Sequence, residues 1–240
     1  MNATSPPGHI AFVCAMPIEL TPVVRMLSLT ETEVNGTTLH TGVLDGHEVV
    51  AIVTGMGMDL ALAGMQRLLD AVRVRWVMVV GITGALESET PIGTLVWPEV
   101  VVNSETGQEF RPNLLGDATP KGRMWTTNGL TTQKSDLETL RASGVVSLDM
   151  ETAAIAEICE ARGIPWTVYR VISDRANDGT VDEEVFHLSN QDGTPNHAAI
   201  EKYMAEHPER LPLMAQMAEN AKVATHTAAE AAIRACAHLP

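Results

Sequence analysis

Residues 145–177 read VVSLDMETAAIAEICEARGIPWTVYRVISDRAN, and this stretch decides the fold of the chain. Its first five residues, Val145–Asp149, are rich in β-branched side chains and predict a short strand. Residues 150–162 are mostly helix formers, and a glycine and a proline follow them closely. Residues 166–172 are apolar again. The stretch therefore predicts a strand, a helix and a second strand.

Acidic residues lie at the end of each of these two predicted strands. Asp149 and Glu151 come at the end of the first strand, and Asp174 comes just after the second. In an open α/β sheet, the carboxyl ends of the strands form the crevice where ligands bind. We therefore expect the two strands to deliver carboxylates to one ligand site.

The rest of the chain alternates strands and helices, as βαβ units require. The apolar runs predict a first strand at 10–15, a hairpin of strands 39–44 and 49–53 around Asp45-Gly46, a helix at 58–72 and a central strand at 76–80. This order predicts the α/β fold class, with all elements in one domain.

Two stretches depart from this alternation. Residues 103–129 are rich in Asn, Gly, Pro and Thr and predict irregular structure. Residues 197–236 are rich in Ala and Met and predict a helical tail that is broken near Pro208 and Pro212. We expect residues 1–8 to form a flexible N-terminal tail and residues 9–240 to form the single domain.

The composition narrows the classes of function. The net charge of −14 argues against nucleic-acid binding, which relies on Lys and Arg to neutralise phosphates. No apolar run approaches the length of a membrane span, so no membrane partner is expected. Cys14, Cys159 and Cys236 lie far apart without CxxC spacing, which favours buried thiols in a reducing cytoplasm. The histidines have no paired metal-ligand spacing, and we expect no metal site.

A turn at residues 54–58 could be mistaken for a dinucleotide-binding loop, because Gly55 and Gly57 lie between a strand and a helix. However, the third glycine of that fingerprint is absent, and no acidic residue ends a strand about 20 residues later. We therefore expect no nicotinamide cofactor, and none of another kind.

The acidic residues have the properties needed to cleave the N-glycosidic bond of a nucleoside. This reaction needs an acid at the base, an anchor for the sugar hydroxyls and a base that activates water. Asp174, with Ser173 beside it, can protonate a purine; Glu151 can bind the ribose diol; Glu19 can deprotonate water. Considered singly, Glu19 could instead be a helix-dipole partner and Asp174 a helix N-cap.

Five segments extend this interpretation to a known family. They are CAMPIEL at 14–20, TGMGMDLA at 54–61, GITGAL at 81–86, LDMETAA at 148–154 and RVISD at 170–174. In order and spacing they resemble the purine nucleoside phosphorylase/nucleosidase superfamily, and most of all the methylthioadenosine/S-adenosylhomocysteine nucleosidases. The resemblance covers roughly residues 9–177. It implies a central mixed β-sheet flanked by helices, and a homodimer.

The resemblance also implies roles for individual residues. Glu19 matches the catalytic glutamate, Asp174 the purine-protonating aspartate and Glu151 the glutamate that binds the ribose diol. Met150 matches a methionine packed on the sugar, and Arg170 an arginine near the attacking water.

Four further residues complete the predicted substrate site. Met16 and Met56 match apolar residues around the ribose and its 5′ substituent. Gly84 lies in the glycine turn after the central strand, and Ser173 precedes Asp174.

Departures from the family pattern concern the nucleophile and the base. Ile82 replaces a serine, and Val79 an arginine, that hold phosphate in the phosphorylases. Because Glu19 would also repel a phosphate dianion, we expect water to be the nucleophile. Asn128 and its neighbours stand in the region of the aromatic residue that stacks on the purine in the nucleosidases.

The sequence thus predicts hydrolysis of an adenosine-type, 5′-substituted purine nucleoside. Two alternatives remain open. One is a phosphorylase that uses phosphate, and the other is a nucleoside-binding protein without activity. The identity of the 5′ group stays open as well.

Overall fold

The order of strands and helices confirms the predicted α/β class. A computed structural model describes residues 8–131, 133–176 and 180–240, so the predicted tail at 1–8 lies outside the described residues except for Gly8. The strands are β1 (His9–Cys14), β2 (Thr30–Val34), β3 (Thr37–Leu44), β4 (His47–Val53), β5 (Val74–Ala85), β6 (Leu95–Val96), β7 (Val100–Asn103), β8 (Glu109–Phe110), β9 (Arg123–Thr126), β10 (Val145–Asp149) and β11 (Trp166–Arg175). The helices are α1 (Pro17–Leu27), α2 (Met58–Ala71), α3 (Lys134–Ala142), α4 (Thr152–Arg162), α5 (Glu183–Phe186), α6 (His197–Glu206) and α7 (Leu211–Ala235).

Strand β5 organises the central sheet. It is 12 residues long and almost entirely buried. Its first half pairs in parallel with β1, and its opposite edge pairs in parallel with β11. Beyond the end of β1, Gly84 and Ala85 pair antiparallel with β10. Because parallel and antiparallel pairs occur together, the sheet is mixed, as the resemblance implied.

Strands β10 and β11 were expected to end at one edge of the sheet, as strands of an open α/β sheet do, but they run in opposite directions. The two strands are not paired with each other, because β5 lies between them, and β10 runs antiparallel to β5 while β11 runs parallel to it. Leu148 and Asp174 both lie opposite Gly84, one on each side. Asp174 therefore belongs to β11 itself and does not follow the strand. The acidic residues approach one another because β5 extends far enough to pair with both strands.

Helices cover both faces of the sheet. Buried side chains of α2 and α4 pack on one face, and those of α1 and α7 pack on the other. Helix α7 presents alanines to the sheet, and Ala224, Ala228 and Ala232 have no exposed surface. Among the described residues, no helix combines the length and apolar character needed to cross a bilayer.

Two predicted regions contain more structure than expected. Residues 103–129 include β8 and β9, which have only 2 and 4 residues and are too short to give a periodic pattern.

In the C-terminal tail, the predicted break near Pro208 is present, because a 3₁₀ turn at Pro208–Arg210 separates α6 from α7. The predicted break at Pro212 is wrong. This proline lies in the first turn of α7, where its missing N–H has no intrahelical partner to lose.

Candidate active site

The guanidinium of Arg170 lies at the centre of a group of buried carboxylates. Arg170, in the middle of β11, is only 2% exposed. Its Nη2 lies 2.9 Å from Glu151 Oε2 and 3.0 Å from Asp149 Oδ2, and its Nη1 lies 3.3 Å from Glu19 Oε1. We call Glu19, Asp149 and Glu151 the acid cluster. A buried arginine needs anionic partners, and here three different segments supply them.

Glu19 is held by backbone donors from two sides. It is the third residue of α1, and its Oε2 accepts hydrogen bonds from the N–H groups of Ala15 (2.8 Å) and Met16 (3.0 Å). Its Oε1 accepts one from the N–H of Ile82 at 2.8 Å, besides the bond from Arg170. The carboxylate therefore caps its own helix and also belongs to the acid cluster. Its usual acceptor positions are all occupied by protein donors.

Gly81 is required by the contact between Glu19 and Arg170. A Cβ atom at this position would lie 2.1 Å from Glu19 Oε1 and 2.6 Å from Arg170 Nη1. No side chain fits at such distances, so the ion pair exists only because residue 81 is glycine. The prediction of a glycine turn at 81–85 is wrong, because these residues continue strand β5, and the sequence gave no sign of this packing.

Asp149 belongs to the acid cluster, although the sequence predicted no individual role for it. Its Oδ1 accepts a hydrogen bond of 2.6 Å from the hydroxyl of Thr126, and its Oδ2 accepts the N–H of Thr152 at 2.8 Å. The hydroxyl of Thr152 also donates to Oδ2. Asp149 thus holds the start of α4 while it pairs with Arg170. Its position at a strand end was the available signal.

Glu151 connects the cluster to the N-terminus of α2. Its Oε1 accepts a hydrogen bond of 2.9 Å from the N–H of Gly57, and its Oε2 binds Arg170. A carboxylate at a helix N-terminus is stabilised by the unpaired amides and by the helix dipole. Both oxygens are therefore fixed in direction.

Burial raises the pKa values of two members of the acid cluster, Glu151 and Glu19. Burial is the main cause that raises the pKa of Glu151 to about 7, and Asp149 adds to it, while Arg170 opposes it. Burial also raises the pKa of Glu19, against the opposing effect of Arg170 and the backbone N–H groups. A carboxyl group with a pKa of about 7, such as that of Glu151, holds and releases a proton close to neutral pH.

Asp174 and Ser173 lie farther along β11 than Arg170. The hydroxyl of Ser173 donates a 2.6 Å hydrogen bond to Asp174 Oδ2. Ser173 is buried, whereas Asp174 is partly exposed. A Cβ on Gly84 would lie 3.0 Å from Asp174 Oδ1, so this glycine leaves space for the carboxylate. The structure therefore places Asp174 next to Gly84, as β-sheet neighbours on β11 and β5.

The three predicted methionines are partly exposed, unlike typical core residues. Met16 precedes α1, Met56 lies in the turn before α2, and Met150 lies between two members of the acid cluster. A loop at 189–195 contacts the first two of them. The carbonyl of Gln191 accepts a 2.8 Å hydrogen bond from Met56 N–H, and a Cβ on Gly193 would lie 2.6 Å from Met16 Cγ.

Within the described ranges, no group of His, Cys, Asp and Glu side chains has the arrangement of a metal site. The acid cluster surrounds Arg170, whose guanidinium occupies the centre that the three carboxylates share.

Comparison with known proteins gives a consistent assignment. The family model of the phosphorylase superfamily matches residues 9–121 and 113–206. A 5′-methylthioadenosine/S-adenosylhomocysteine nucleosidase of Geobacillus kaustophilus is 26% identical over 184 residues, which cover 64% of this chain and 78% of that protein.

Solved structures share the fold. A nucleosidase of the same name from S. pneumoniae, with a transition-state inhibitor, has a TM-score of 0.71 at 21% identity and covers 95% of this chain and 99% of its own. The futalosine hydrolase of Helicobacter pylori has a TM-score of 0.67 at 17% identity, covering 94% and 97%.

The raised pKa of Glu151 predicts how stability depends on pH. Between pH 4.5 and about 7, the folded state binds this proton more tightly than the unfolded state does. The free energy of unfolding should therefore fall as the pH rises through this window, by on the order of 2 kcal/mol from this group. Glu151→Gln cannot ionise and should lack this part of the decrease.

Urea unfolding at pH 5 and pH 7.5 measures the effect, with Glu201→Gln on the exposed side of α6 as the control. The raised pKa of Glu19 makes the free energy of unfolding fall with rising pH in the wild type and in both variants alike. Parallel curves for the wild type and Glu151→Gln would contradict the prediction.

Proposed function

The chain belongs to the phosphorylase superfamily, and from this we propose that it hydrolyses the N-glycosidic bond of a purine nucleoside, releasing the base and a ribose. The substrate is an adenosine-type nucleoside with a substituent at the 5′ position. The relatives of known name are 5′-methylthioadenosine/S-adenosylhomocysteine nucleosidases, which supports this substrate class. The acid cluster supports the reaction type.

One observation favours water over phosphate as the nucleophile. The carboxylate of Glu19 is hydrogen-bonded to the N–H of Ile82 in β5, the position where the resemblance implies a phosphate-binding serine in the phosphorylases. Within the part of the chain that the structure describes, three carboxylates share the single guanidinium of Arg170, so a phosphate dianion would add negative charge to an anionic site. A neutral water molecule carries no such penalty.

In this proposal each acidic residue has one task. Asp174 protonates the departing purine, and Glu151 binds the ribose hydroxyls. Glu19 exchanges one of its backbone hydrogen bonds for a water molecule and deprotonates it. Burial raises the pKa of Glu19, which makes its carboxylate a stronger base than that of an exposed glutamate. Arg170 orients the carboxylates and stabilises their ionised forms.

We also propose that the protein is a cytoplasmic homodimer. The thiols of Cys14, Cys159 and Cys236 are free and buried, in keeping with a reducing compartment, and the resemblance implies the dimer. Light scattering should then give twice the mass of the 25.8 kDa chain, and cell fractionation should recover the protein with cytoplasmic markers. A mass equal to one chain would exclude the dimer.

The nucleophile is tested by incubating the enzyme with methylthioadenosine in phosphate-free buffer and identifying the sugar product. We expect free 5′-methylthioribose at a rate that added phosphate does not raise. Glu19→Gln should remove most of this activity and leave adenine binding intact, because the base does not contact Glu19 in the proposal. A sugar 1-phosphate that forms only when phosphate is present would instead show a phosphorylase.

Asp174→Asn tests the general acid. The amide keeps the shape and an acceptor for Ser173 but has no proton to donate to the purine, so kcat should fall by roughly 10²–10⁴-fold. Adenine affinity should change little. Asp136→Asn, in the exposed first turn of α3, is the control and should keep wild-type kinetics. A near-native kcat for Asp174→Asn would remove this residue from the proposed mechanism.

A further inference from the structure

Three consecutive backbone N–H groups at the start of α2 bind acceptors from three distant parts of the chain. The N–H of Met56 donates to the carbonyl of Gln191 (2.8 Å), and that of Gly57 donates to Glu151 Oε1 (2.9 Å). The N–H of Met58 donates to Asn128 Oδ1, also at 2.9 Å. These are orphan donors of a helix N-terminus, and each of them needs an acceptor. The middle bond is the one that fixes Glu151.

Asn128 is fixed at both ends of its side-chain amide. The oxygen faces Met58 N–H, and Nδ2 donates a 2.7 Å hydrogen bond to Glu105 Oε1. An acceptor on one side and a donor on the other define the orientation of the amide. The side chain therefore links the loop after β9 to the first residue of α2. It occupies the region where the resemblance would place an aromatic residue.

The backbone conformation of the turn at 55–58 makes the position of Gly57 sensitive to the hydrogen bond between Met58 and Asn128. Gly55 and Gly57 have φ values of +100° and +94°, a conformation that residues with a side chain rarely adopt. Glycine at both positions lets the turn move when a restraint is removed. Met58 is the next residue, so the hydrogen bond that its N–H donates to Asn128 Oδ1 restrains the neighbouring amide of Gly57, which Glu151 binds.

We propose that Asn128 is a positioning residue for Glu151, acting through the turn at 55–58 and not by contact with the base. This inference rests on the proposed function in one respect, namely that Glu151 binds the ribose hydroxyls. It assigns Asn128 to sugar recognition, although the residue stands in the region that the family uses to stack on the purine.

The test compares binding of a nucleoside with binding of the base alone. Formycin A, a C-nucleoside whose glycosidic bond cannot be hydrolysed, reports on ribose and base together, and adenine reports on the base. Asn128→Ala should weaken formycin A binding by roughly 5- to 30-fold, as expected for the loss of a helix N-terminal hydrogen bond, and should change adenine binding by less than about twofold. Isothermal titration calorimetry measures both.

Two further variants separate positioning from general damage. Asn196→Ala removes an equivalent bond, 3.1 Å from its Oδ1 to the N–H of Ala199 at the start of α6, and should leave both affinities unchanged. The double variant Asn128→Asp with Glu105→Gln keeps an oxygen that accepts from the N–H of Met58. The amide introduced at position 105 can donate to the second carboxylate oxygen at position 128, so this variant should restore formycin A binding.

The pH dependence of formycin A binding distinguishes the positioning of Glu151 from a merely structural role of Asn128. The Gly57 hydrogen bond lowers the pKa of Glu151, so losing it in Asn128→Ala should move the pH profile of formycin A binding to higher pH. Equal loss for both ligands, a greater loss for adenine, or no loss would overturn the inference. Turnover by the wild type decides the proposed function separately, since binding to formycin A requires no cleavage.

Discussion

The pairing of one buried guanidinium with three carboxylates is the interaction on which the site depends. Arg170 binds Glu19 from α1, Asp149 from β10 and Glu151 from the turn before α4, so one side chain on β11 connects three other segments. Removal of Arg170 would leave three buried carboxylates without the cation that they share, and an uncompensated buried charge typically costs several kcal/mol. The positions of the acidic residues are therefore set together.

The sequence indicated which charged residues come together here, but it did not predict how they are arranged. The positions of the acids at predicted strand ends indicated a group of carboxylates, and the structure has three of them around Arg170. The direction of β10 could not be predicted, because it follows from the pairing of Leu148 with Gly84, far apart in sequence. The roles of Asp149 and Gly81 stayed hidden for the same reason, since both depend on long-range contacts.

Local sequence patterns also failed to predict the structure where elements are short, or where a residue contacts a partner far away in the sequence. The strands in residues 103–129 have too few residues to show alternation. For Asn128, the sequence showed only that an aromatic side chain was absent. Its bond to Met58 joins residues separated by 70 positions, and only the folded chain brings them together. The fold class, in contrast, followed from periodicity and turn residues spread over the whole chain.

The acid cluster has an adjustable charge, because one of its carboxyl groups titrates near neutral pH. A ligand that brings a positive charge next to Glu19 or Glu151 favours their ionised forms and releases a proton to the solvent. A neutral ligand, which offers only hydrogen bonds, favours the ionised forms less and releases less of a proton. By thermodynamic linkage, affinity for a cationic ligand then rises more steeply with pH than affinity for its uncharged counterpart, across the range in which Glu151 titrates. The preference of this site for charged over neutral ligands is thus itself a function of pH.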